Sequence, residues 1–170
     1  MTSRIDTGRL LAAIRSGYAL DWDGIHGASH WARVKENGLR LARSTGARVD
    51  VVELFAFLHD ARRVNDAIDF AHGTRGAELA RALRGEAFDI DDAGMALLVE
   101  ACVSHTDGTL TDEPTVGTCW DADRLDLPRV GILPRPGLLC TVAAREAGLR
   151  EWARSRARAS RGRVPPEPGA

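Results

Sequence analysis

At 170 residues, with 44% hydrophobic and 28% charged side chains, the chain is long enough to bury the core of one globular domain and needs no second. A net charge of −1 argues against general nucleic-acid binding, and with Lys35 as the only lysine the abundance of arginine reads as coding bias. Cys102, Cys119 and Cys140 lack C-x-x-C spacing, which suggests neither a zinc ribbon nor a disulfide framework and fits a reducing cytoplasm; there is no apolar leader and no apolar run of the ~18 residues that a membrane span needs.

Ile5 to Leu20 reads as a first helix, with Leu10, Leu11 and Ile14 on one face and Ser16-Gly17 near its end. After the loop DWDGIHGAS, Ser29 is placed to cap a second helix reaching Ser44, and His30, Val34, Gly38 and Leu41 share its inward stripe. Asp50 and Glu53 resemble a capping pair ahead of a third helix, Val51 to Arg62, apolar nearly all round and therefore central, with His59 and Asp60 in its last turn. The loop RRVNDAIDFA leads to a fourth helix, His72 to Leu83, with Gly85 as its stop. Asp91 or Asp92 caps a fifth, whose stripe of Leu97, Leu98 and Ala101 ends in His105. A sixth, Val116 to Leu127, is stopped by Pro128, with Cys119, Trp120 and Asp123 on its apolar side and Asp121 pointing away. Pro134 and Pro136 precede a last helix, Leu138 to Ala159, whose far end is rich in arginine, including Arg161 and Arg163 just beyond it. No alternating strand stands out, so the expected fold is all-α: one helical domain over residues 1–161 and a disordered tail over 162–170.

Four of the five histidines, His30, His59, His72 and His105, stand at helix ends on mostly apolar stripes, where buried polar groups need partners. Together with Asp60 and Asp123 they make an imidazole and carboxylate set suited to Fe, Mn, Co, Ni or Zn rather than Ca. Trp22, Trp31 and Trp120 read as core or rim packing.

The phrases HWARV, FLHDARR, HGTRGAELA, ACVSHTDG and DADRLDL, in this order, resemble the HD-domain superfamily of metal-dependent phosphohydrolases over about Gly24 to Gly131. That resemblance implies one divalent transition metal held by His30, His59, Asp60 and Asp123, and a second completed by His72 and His105 with Asp60 bridging. The family pattern and the helical stripe both choose Asp123 over its neighbour Asp121, which is left as a possible supporting residue. The implied reaction is attack by metal-activated water on a nucleotide or another small phosphorylated metabolite. Arg33 and Arg63 join Asp60 in the expected catalytic set, His26 is the candidate proton donor, and Arg62, Arg124 and Asp66 are candidates for substrate binding. Some HD-fold proteins with the same six ligands are di-iron oxygenases of polyols or phosphonates, which is the alternative. Neither nucleic acid nor membrane is expected as a partner, and nothing in the sequence fixes the oligomeric state.

Overall fold

The computed structural model describes residues 4–159; Arg161, Arg163 and the tail expected to be disordered lie outside the described residues. Eight α-helices make up the described fold: α1 (Thr7–Ser16), α2 (Ala28–Thr45), α3 (Val49–Leu58), α4 (His72–Leu83), α5 (Asp92–Ser104), α6 (Pro114–Arg124), α7 (Val142–Arg145) and α8 (Ala147–Ala159). The only sheet among the described residues is a two-residue antiparallel ribbon, β1 (Arg4–Ile5) with β2 (Phe88–Asp89). The all-α expectation therefore holds, with the first helix shortened because Arg4 and Ile5 are extended and Asp6 takes the N-cap, accepting from the Arg9 amide.

α3 is the hub. Seven of its ten residues are buried, and it packs against α2, α4, α5 and α6. An apolar cylinder of this kind is stable only when surrounded, which is why it carries the site at its end rather than on its side. It ends sooner than the sequence suggests: Leu58 is its last residue, His59 is the C-cap and Asp60 begins the turn beyond. The helix starts at Val49, and Asp50 does not cap it. Asp50 is held by the Arg48 guanidinium instead.

Three other ends differ in the same manner. Gly27, not Ser29, precedes α2, and a Cβ there would lie 2.0 Å from the Trp22 carbonyl oxygen, so the tight approach requires glycine. Glu113 caps α6 with Pro114 at its first position, a residue whose missing N–H costs nothing there. Pro128 does not stop that helix abruptly; it lies within a short 3-10 turn, Leu127–Val130. The expected last helix is broken into a 3-10 turn (Pro136–Leu138), α7 and α8. By contrast α4 and α5 have the expected ends: Gly85 adopts φ +86 after α4, and the Asp91 side chain accepts from the Gly94 amide.

The HGTRG phrase is explained by backbone proximity. A Cβ on Gly73 would lie 2.2 Å from the Cys102 carbonyl oxygen, and one on Gly76 2.4 Å from that of Leu58. The two glycines let α4 seat directly against the last turns of α5 and α3. Those turns carry His105 and His59.

Candidate metal centre

Five elements deliver one side chain or pair each to a common point. His30 comes from the first turn of α2, His59 and Asp60 from the turn after α3, His72 from the start of α4, His105 from the C-cap of α5 and Asp123 from the end of α6. All but Asp123 are buried, and its side chain is 18% exposed.

The two oxygens of Asp60 face different groups. On one side Oδ2 is 3.7 Å from Nε2 of both His30 and His59, and Asp123 Oδ1 is 3.4 and 3.8 Å from the same two nitrogens. On the other side Oδ1 is 3.3 Å from His72 Nε2 and 3.8 Å from His105 Nε2. The two imidazole pairs are close, 3.1 Å for His30 and His59 and 2.8 Å for His72 and His105, Nε2 to Nε2.

The outer nitrogens settle the tautomers. Nδ1 of His59 donates to the Phe55 carbonyl at 3.0 Å, that of His105 to Cys102 at 2.7 Å, and that of His72 to Asp69. Nδ1 of His30 meets Asp126 Oδ2 at 2.7 Å. A carbonyl, like the ionised Asp126 carboxylate, can only accept, so each of these rings carries its proton on Nδ1 and, when neutral, turns the Nε2 lone pair inward. Burial lowers the pKa of His30 and of His72, and that of His59 to about 3. Two neutral imidazoles thus point lone pairs at each other across 3.1 Å, beside two carboxylates. Burial opposes the ionisation of Asp60 and Asp123, yet the surrounding imidazoles hold Asp60 well below the carboxylate range and Asp123 at about 2. Converging lone pairs and retained negative charge are the donor set of a divalent transition-metal cation, and the residues fit one. His30, His59 and Asp60 form one group of convergent ligand atoms and Asp60, His72 and His105 another.

His105 differs. Burial alone would lower its pKa, but Asp60 and Asp123 together raise it, so its protonated form can donate from Nε2 to His72.

The remaining expected residues divide. His26 reaches the centre, with Nδ1 2.9 Å from Asp60 Oδ2. Arg63 does too: Nη1 is 3.3 Å from Asp60 Oδ1 and 3.1 Å from His72 Nε2, while Nη2 and Nε tie down the Ala67 and Asn65 carbonyls of the following loop. Arg33 grips Asp126 with two hydrogen bonds of 2.7 and 3.0 Å, acting on His30 through it. Arg62 is turned away, and its guanidinium satisfies the Ala13 and Ile14 carbonyls at the end of α1. Arg124 likewise clamps the Gly108, Thr109 and Leu138 carbonyls. Asp66 is exposed on the loop, whereas Asp69 is buried and accepts from Arg75 and the Val64 amide. Asp121 corrects the expectation that it points outward. It is fully buried, but it serves structure, accepting from the Cys140 and Thr141 amides and the Thr141 hydroxyl ahead of α7.

Trp31 belongs to an edge-to-face cluster with Tyr18 and Trp22, and Trp120 donates to the Ala101 carbonyl, so all three tryptophans pack rather than line the centre. Sequence reasoning missed Asp126 and Arg129. The signal for Asp126 was present in its i+3 spacing from Asp123, which carries it round to the ring behind His30.

No family model and no curated protein matches the chain. Among solved structures it is similar to a crystal structure described as a predicted HD superfamily hydrolase from an uncultured Thermotogales bacterium. The TM-score is 0.67 with 27% identity, over 89% of this chain and 86% of that one. The chain resembles the HD superfamily in fold and in its His/Asp donor set. Fold and donor set support a hydrolase of this superfamily with a divalent-metal site. No described helix is long and apolar enough to cross a membrane.

Proposed function

We propose that this chain is an HD-superfamily metal-dependent phosphohydrolase acting on a nucleotide or another small phosphorylated metabolite, with two divalent transition-metal ions (Fe, Mn, Co or Ni). The observation that carries the reading is the division of Asp60, whose Oδ2 faces His30, His59 and Asp123 while its Oδ1 faces His72 and His105. His30, His59, Asp60, His72, His105 and Asp123 would hold such ions, which when bound would supply Lewis acidity to a water and to a phosphoryl group.

The chain's own residues do the rest. Asp126 and the Phe55, Asp69 and Cys102 carbonyls hold four imidazoles in the acceptor tautomer. His26, hydrogen-bonded to Asp60, is placed to move a proton to or from the reacting oxygens. Arg63 supplies positive charge beside His72.

The test is incubation of purified protein, loaded with Mn²⁺, Fe²⁺, Co²⁺ or Ni²⁺, with a panel of nucleotides and sugar phosphates. Release of phosphate or pyrophosphate that disappears in His59→Ala is expected. No release with any metal, or oxygen consumption by the Fe²⁺ form instead, would refute it.

A further inference from the structure

Substrate oxyanions need a cation in the wall of the site, and most of the arginines near the centre are already engaged. Arg62 and Arg124 satisfy carbonyls elsewhere, Arg33 is bound by both oxygens of Asp126, and Arg63 is spread over Asp60, His72 and two carbonyls. Arg129 is different. It stands in the 3-10 turn Leu127–Val130, which closes on Gly131 at φ +87. Its side chain is 7% exposed, Nε donates to the Ile25 carbonyl at 2.9 Å, and Nε lies 3.8 Å from Asp126 Oδ2. Ile25 precedes His26, so the guanidinium stands between the loop that brings His26 to Asp60 and the carboxylate behind His30. Nη1 is buried and has no hydrogen-bond partner.

A buried donor left unpaired costs about 1–3 kcal/mol, and more for a charged group, so folding alone gives no reason to keep one there. We propose that Arg129 is a substrate-binding residue that donates its Nη1 hydrogen bond to an anionic phosphoryl oxygen beside the His30, His59 and Asp123 group. The assignment rests on the phosphohydrolase reading, and it gives that reading an anion contact that none of the arginines beside the ligand motifs supplies on this side.

The experiment titrates inorganic phosphate into Mn²⁺-loaded full-length protein, followed by phosphorus NMR broadening, with Mn²⁺ affinity measured separately. Arg129→Gln is expected to weaken phosphate binding about 10- to 100-fold, the worth of a hydrogen bond to a charged group, with Mn²⁺ affinity unchanged. Arg129→Lys, which keeps charge but loses the forked donor, is expected to fall between. Unaltered phosphate affinity in Arg129→Gln overturns the assignment, as does a parallel loss of Mn²⁺, which would make Arg129 a mere support of Asp126. If Arg129→Gln does not fold, Arg129→Lys decides, and wild-type phosphate affinity in it overturns the assignment. Wild-type protein that binds Mn²⁺ but no phosphate defeats the phosphohydrolase reading together with this one, whereas phosphate held equally by wild type and variant defeats Arg129 alone.

Discussion

The two halves of the centre share a carboxylate but are supported by different means. The half formed by His30, His59 and Asp123 leans on charge: Asp126 holds the outer nitrogen of His30 and is itself held by Arg33. The half formed by His72 and His105 leans on backbone: carbonyls of Asp69 and Cys102 orient the rings, and Gly73 lets the helices approach closely enough for this. The first half sets two neutral imidazoles lone pair to lone pair. The second has His105 biased toward protonation and the Arg63 cation 3.1 Å from His72. A cation entering the first half relieves repulsion, while one entering the second must displace a proton and compete with a guanidinium. The first half should therefore bind its ion more tightly.

Asp60→Ala strikes both halves and should have the largest effect. On the proposed two-ion reading, loss of the shared carboxylate should reduce bound metal from two ions to at most one, with hydrolysis falling roughly 1000-fold or more, about 4 kcal/mol of barrier. Elemental analysis and phosphate release check it, and a variant that keeps two ions would sink the bridging role. Asp126→Ala should act on the first half alone, weakening the tighter ion about 10- to 100-fold as expected for loss of a partner behind a ligand, with the weaker ion unchanged by calorimetry. Gly73→Ala should act on the second half through sterics, costing about 1–3 kcal/mol of stability in thermal unfolding and loosening the weaker ion, because the added methyl meets the Cys102 carbonyl. Equal loss of both ions would show that the halves are not separately supported.

The smallest effect is in pH. His105 has a raised pKa, so on acidification from neutral its proton competes with the second ion, whose affinity should fall by up to about tenfold per pH unit. His30 and His59 titrate below their ordinary range, so the first ion should lose little until the pH is far lower. Metal titrations at two or three pH values compare the slopes, and parallel slopes would contradict the proton bias at His105.

The sequence by itself determined the helix types, the central place of α3 and the ligand candidates, because an apolar segment that ends in two polar residues has few physical readings. The bounds of α4 and α5 were legible too, since Gly85 and Asp91 act locally. Tertiary structure decided the rest. The choice among arginines depends on which carbonyls lie within reach after folding: Arg62 finds the end of α1, 48 residues away in sequence, and Arg124 finds loops on either side of α6. The fate of Asp121 depended on the Cys140 and Thr141 amides ahead of α7, which meet a side chain that its own helix would have left outside. Asp126 and Arg129 acquired their places only when the turn after α6 met α2 and the loop before it, a contact made across 96 residues. Local spacing selects ligand types and helix faces; long-range packing alone selects which charge stands behind which ligand.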